Sequence, residues 1–226
     1  MTIERVSHML LGAGTAWILW LLAGLSIVSV VIFVERRLTY RAAAVDLEAL
    51  ARQVAAWLSA GRFAEAARAL KASPSVAARI AGAGVELSER GPAAAEHAMK
   101  SALAFERLRL SRRLAFLATL GNNAPFIGLL GTVIGVIQAF EALGHGAPEG
   151  AGEAVGAVAS QAVMAAVAEA LVATAVGLLV ALPAVAAYNY LQRIVATLLE
   201  GSEVLSRLVL AHTGARASEE ATDAQR

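Results

Sequence analysis

Glu169, Thr132 and Thr174 are the residues of this sequence whose type and setting could do chemistry. Glu169 is the only formally charged residue in the 39 positions between Glu153 and Arg193, a stretch rich in Ala, Val and Leu. A carboxylate in such a run costs about 2.5–3.5 kcal/mol on membrane-insertion scales, and chains that keep one turn it toward a bundle interior or an aqueous path. Burial disfavours its charged form. No Lys or Arg lies at its depth in the apolar runs, so it stays protonated unless water or a partner helix stabilises it. A group so placed can take up and release a proton. Thr132 and Thr174 each put a hydroxyl into an apolar run. Such a hydroxyl either bonds the carbonyl of its own preceding turn or lines a hydrated conduit, and the residues alone leave both readings open.

The elements that must position these groups follow from hydropathy. The 226 residues are 58% hydrophobic and only 16% charged, with mean hydropathy +0.63. That is too apolar for an ordinary soluble domain. A bilayer span needs about 20 apolar residues. Three runs qualify: Met9 to Val34, Leu114 to Phe140, and Ala154 to Gln192 broken only by Glu169. The first is too long for a signal-peptide core, and Glu35-Arg36-Arg37 follows it directly, so it reads as an anchor. Trp17 and Trp20 suit one interface.

Charge sets the expected orientation. Residues 35–113 hold 14 Lys and Arg against 8 Asp and Glu, whereas 141–153 hold three Glu and no Lys or Arg. The clusters Arg36, Arg37, Arg41 and Arg107, Arg109, Arg112, Arg113 flank the spans. By the positive-inside rule that segment is cytoplasmic. The fold class expected is an all-α integral membrane protein, three transmembrane helices with long helical extensions into the cytoplasm. Segment 1–8 lies outside, 9–34 crosses, 35–113 forms a cytoplasmic helical domain and 114–140 crosses back. Residues 141–153 form an outer loop, 160–192 cross again, and 193–226 form a cytoplasmic helix and tail.

Within 35–113 the pattern predicts helices over Arg41–Ala60, Arg62–Ala72 and near Ser75–Glu89, with Ser73-Pro74 as N-cap and first helical residue. Gly61 and Gly91-Pro92 punctuate them. From Ala93 the pattern continues through the Arg cluster into the second span with no loop signal. The third span runs on past Arg193 toward His212, and the tail from Gly214 reads as frayed. The four histidines show no metal-ligand spacing and read as solvated.

Gly128, Gly131 and Gly135 share one face of the second span, and Ala173, Gly177 and Ala181 share one face of the third. Small residues at that spacing let helices approach closely. Pro125 and Pro183 are expected to kink their helices. Thr132 and Thr174 fall near mid-bilayer on antiparallel helices, with Glu169 about 7.5 Å nearer the outside. There are no cysteines and no GxGxxG or GxxxxGK motif. The chain offers no enzyme chemistry: no catalytic set, metal site, cofactor or nucleic-acid-binding field is expected, and lipids surround the spans.

Gly128-Leu129-Leu130-Gly131-Thr132-Val133-Ile134-Gly135 and Ala168-Glu169-Ala170-Leu171, with Thr174, Gly177, Pro183-Ala184 and Tyr188-Asn189, resemble the two signature spans of the ExbB/TolQ/MotA proton-channel family, closest to its ExbB and TolQ branch. Three spans, an outer N-terminus and a large segment between spans one and two agree. The four spans of MotA-type stators do not. The resemblance implies a homo-oligomer, a pentamer, in the bacterial inner membrane with a periplasmic N-terminus and cytoplasmic C-terminus. Its pore would hold a dimer of a single-span ExbD- or TolR-like partner whose membrane Asp is the main proton carrier. Proton flow would drive TonB-dependent import or Tol-dependent envelope maintenance through a TonB- or TolA-like protein. On this resemblance Thr132 and Thr174 match the pore threonines and Glu169 the third-span glutamate. A non-conducting scaffold and a motor for surface gliding are the alternatives.

Overall fold

A computed structural model describes residues 15–44, 46–145 and 153–223. The segments 1–14, 146–152 and 224–226, which contain the expected N-terminal segment, the start of the first span and most of the outer loop, lie outside the described residues. Every regular element among the described residues is helical: α1 (Ala16–Ala43), α2 (Leu47–Ser59), α3 (Phe63–Ala72), α4 (Val76–Glu86), a 3-10 turn at Ser88–Arg90, α5 (Pro92–Ser111), α6 (Leu114–His145) and α7 (Glu153–Asp223). Three helical segments are long and apolar enough to cross a membrane, within α1, α6 and α7. In hydrocarbon only a helix satisfies all of its own backbone groups, which is why uninterrupted apolar sequence takes this form.

The chain divides into two compact units, Met1–Phe33 with Ala115–Asn189 and Val34–Leu114 with Tyr190–Arg226. The first unit contains the apolar parts of α1, α6 and α7. Its core is formed by Ile18 and Leu22 of α1, Leu120, Ala124 and Ile134 of α6, and Val180, Ala181 and Ala184 of α7. Pro125 and Pro183 lie inside continuous helices. Neighbouring helices re-satisfy the backbone groups a membrane proline frees.

The second unit is an amphipathic helical assembly. α2 buries Leu50, Val54 and Leu58, α3 buries Phe63, Ala66 and Leu70, and α4 is buried on most of its surface. The distal part of α7 buries Leu191, Val195, Leu199, Ser202, Leu205, Val209 and Thr213, a three-to-four spacing that defines one face. Gly61 (φ 70°) and Gly91 (φ 95°) adopt left-handed backbone where α2 ends and α5 begins, which only glycine does without steric cost.

Five expectations are corrected here. The helix expected from Arg41 is split, because α1 ends at Ala43 and Asp46 caps α2 by accepting the Ala49 N–H at 3.1 Å. The next cap is Ser75, not Ser73. Pro74 disfavours helical backbone in the residue before it, and Ser73 is extended (ψ 134°). The helix expected to run from Ala93 into the second span breaks at Arg112-Arg113, where Arg113 takes φ 69°. Such a residue carries no glycine or proline signal; its guanidinium pairs with Glu35. The tail is helical to Asp223 rather than frayed. His212, read as solvated, is half-buried, with its ring nitrogens on Ser59 Oγ at 3.3 Å and the Leu208 carbonyl at 2.9 Å.

Candidate functional site

The site is built on the pairing of α6 with α7. A Cβ added at Gly121 would meet Val185, at Gly128 the Ala173 carbonyl oxygen (2.7 Å) and Thr174 Cα (2.9 Å), at Gly131 Ala173 Cβ (2.6 Å), and at Gly135 Ala170 Cβ (2.5 Å). Rising numbers on α6 meet falling numbers on α7, so the helices are antiparallel. At Gly177 the added atom would lie 2.7 Å from the Ala124 carbonyl oxygen and 3.0 Å from Gly128 Cα. Backbone therefore touches backbone around Gly128 and Gly177, an approach that small residues permit and larger ones prevent. Gly128, Gly131, Gly135, Ala173, Gly177 and Ala181 are all buried. Gly121 and Ala170 extend the same seam. The sequence signal for both, small residues in phase with the others, was available but unused.

This register sets Thr132 and Thr174 at one level. Their hydroxyls differ. Thr132 Oγ1 donates to the Leu129 carbonyl at 2.7 Å, a bond within its own turn. Thr174 Oγ1 is buried and has no hydrogen-bond partner. A buried hydroxyl without a partner costs about 1–3 kcal/mol, so the seam holds one polar atom whose bonding it leaves incomplete.

Glu169 stands on α7 on a face of the isolated chain that is open, among exposed Met164, Ala165, Ala168 and Val172. Its Oε1 accepts the hydroxyl proton of Thr15, at 2.5 Å. Thr15 itself is 2% exposed, directly before α1. A hydroxyl both donates and accepts, so it can hold the carboxyl group in either protonation state. Thr15 is the neighbour of Glu169 that reading the sequence missed, because 154 positions separate the two and neither spacing nor composition links them. Other acidic groups of the two helices stand well away: Glu141 lies six residues beyond Gly135, the partner of Ala170, or about 9 Å along the axis.

The flanking arginines are not a uniform solvated belt. Arg36 is buried beside Tyr40. Arg37 lies over the Tyr190 ring at 5.2 Å and donates to its hydroxyl. Arg113 pairs with Glu35 and Arg109 approaches Glu106 at 3.6 Å, while Arg41, Arg107 and Arg112 are exposed. Glu106 also receives two bonds from Arg79, both 2.8 Å. Those bonds hold its carboxyl below the usual carboxylate range, against the opposing effect of burial. Burial pushes the Tyr40 phenol up, and neighbouring Arg36 opposes this. Among the described residues no cluster of His, Cys, Asp or Glu could hold a metal.

The arrangement sets a carboxyl group, bonded by a hydroxyl, beside a tightly packed helix pair. Residues 72–203 match the model of the MotA/TolQ/ExbB proton channel family. A putative biopolymer transport protein ExbB-like 2 of Helicobacter pylori is 45% identical over 86 residues, 38% of this chain and 51% of that protein. The biopolymer transport protein ExbB of Xanthomonas campestris pv. campestris is 34% identical over 99 residues, 44% of this chain and 36% of its own. The Tol-Pal system protein TolQ of Pseudomonas aeruginosa is 34% identical over 92 residues, 41% of this chain and 36% of its own. The chain thus spans about half or less of the length of the curated relatives it matches. The family match covers more than half of the 226 residues and takes in both signature spans. With its three apolar helical segments, this chain is a bacterial inner-membrane protein that belongs to the MotA/TolQ/ExbB proton channel family, in its ExbB/TolQ branch.

Proposed function

We propose that this chain is the channel and stator subunit of an inner-membrane motor that couples proton flow to work at the cell envelope. The observation that carries the reading is Glu169, a carboxylate on an open face of α7 among Met164, Ala165, Ala168 and Val172. Facing lipid there would be costly. A second protein surface or a water file therefore covers it in the assembled state. Copies of this chain in a ring, a pentamer on the family's pattern, would turn that face inward toward a single-span ExbD- or TolR-like partner carrying its own acid. Thr174 and Thr132 would add hydroxyls to the same path, and the glycine seam would keep α6 and α7 rigid while the partner moves. In this arrangement 35–113 and 193–226 are cytoplasmic and 141–153 periplasmic. Relatives named for ExbB and for TolQ match similar shares of the chain, so output through a TonB-like or a TolA-like protein fits equally.

The Thr15 bond favours a second reading, a non-conducting scaffold in which Glu169 only fastens α1 to α7. Proton flux into vesicles carrying the chain with its co-expressed single-span partner separates the two. On the motor reading Glu169→Gln impairs flux more than Glu169→Asp, with assembly intact in both. Undiminished flux in the Gln variant would remove Glu169 from the path.

A further inference from the structure

Among the described residues Arg36 has no counter-ion. It is 8% exposed, forms no ion pair with any described residue, and its Nε has no hydrogen-bond partner. An uncompensated buried charge is costly. Glu35, its sequence neighbour, is engaged by Arg113. Arg36 lines a cleft of about 540 Å³ with Thr39, Pro74, Arg79, Arg109 and Leu110. Arg79 is saturated by Glu106 and by the Pro74 carbonyl, whereas Arg109 reaches the same carboxylate only at 3.6 Å and its side chain is 65% exposed. Three guanidiniums against one carboxylate leave the cleft with an excess of two positive charges.

The position of the cleft narrows the anion. Arg36 lies two residues beyond Val34, where the apolar run of α1 ends, about 3 Å further along the helix. That is headgroup depth. A planar guanidinium matches the oxygens of a phosphate in pairs.

We propose that this cleft binds the phosphodiester of an anionic lipid headgroup, with Arg36 as its principal contact and Arg109 as the second. The inference depends on the membrane location alone and stands apart from the motor reading.

The test is native mass spectrometry of the full-length chain in a neutral detergent. It is titrated with phosphatidylglycerol, with phosphatidylcholine of the same acyl chains, and separately with inorganic phosphate. The wild type is expected to retain phosphatidylglycerol preferentially. Arg36→Gln should lose roughly fivefold or more of that affinity with phosphatidylcholine binding unchanged, and Arg109→Gln should lose less in the same direction. If Arg36→Gln does not fold, Arg109→Gln decides. Equal retention of the two lipids by the wild type, or an unchanged preference in the folded variants, overturns the proposal. Binding of inorganic phosphate without lipid preference assigns the cleft to free phosphate and overturns the lipid assignment. Loss of the oligomer in Arg36→Gln with lipid preference intact means that a neighbouring chain's carboxylate fills the cleft, which also overturns it.

Discussion

The α6/α7 seam allows a prediction in which position, not residue type, sets the outcome. Gly→Ala adds the same methyl group at Gly128 and at Gly131, but the obstacles differ. At Gly128 the new carbon would sit 2.7 Å from the Ala173 carbonyl oxygen and 2.9 Å from Thr174 Cα. An ordinary carbon–oxygen contact is about 3.3 Å or longer, so the helices must separate by roughly 0.6 Å, and backbone cannot move aside locally. Overpacking of this kind costs about 1–3 kcal/mol. At Gly131 the obstacle is Ala173 Cβ at 2.6 Å, which substitution can remove. Gly131→Ala alone should therefore destabilise, while Gly131→Ala with Ala173→Gly exchanges one methyl group across the seam and should return close to wild type. Gly128→Ala has no such rescue. The assay is thermal unfolding of the detergent-solubilised chain, followed by loss of the monodisperse species. A chain of this length shifts by about 2–4 °C per kcal/mol. If Gly128→Ala melts with the wild type, or if the Gly131/Ala173 double variant melts no higher than Gly131→Ala, the seam described here is not the packing of the folded protein.

Thr15→Val removes the donor to Glu169 and keeps the shape of the side chain; the rate profile of carbodiimide labelling at Glu169, followed at one fixed pH, should change, and Thr15→Ser should restore it. An unchanged profile would show that the contact does not hold the carboxyl group. Thr174→Val should be neutral or stabilising in the isolated chain, because it replaces a buried hydroxyl that has no partner, and it should reduce flux in the assembled motor if a pore supplies the missing partner. Full flux in both Thr174→Val and Thr132→Val would take the hydroxyls out of the path. Glu106 has a lowered folded value, so its stabilisation is present above the unfolded value of 4.5 and is lost as pH falls through the lower folded value. Glu106→Gln should cost about 2 kcal/mol at neutral pH and progressively less on acidification below 4.5, read as a converging pair of melting curves; a pH-independent gap would refute the assignment. For topology, single cysteines are placed at exposed Ala93 and at position 146. An impermeant thiol reagent with access to the periplasm should label position 146 and spare 93, and the reverse pattern would invert the proposed orientation.

Local sequence determined the parts of this protein that local physics decides. Long apolar runs must be helices in a bilayer, glycines at 128, 131 and 135 must share a face, and Gly61 and Gly91 must end or begin elements. None of these conclusions needs knowledge of a distant residue. The break at Arg112-Arg113 was not legible, because a non-glycine residue adopts left-handed backbone only where surrounding contacts impose it. The cap at Asp46 was legible in principle but was outweighed by an apolar pattern that continued across it. Tertiary structure alone brought Thr15 to Glu169, left Thr174 without a partner while Thr132 bonded its own turn, and buried Arg36 without a counter-ion among the described residues. Each of these depends on which residues meet across helices far apart in the chain. Hydropathy and spacing report the face of a helix, and the partner on the other side of that face is fixed only when the helices pack.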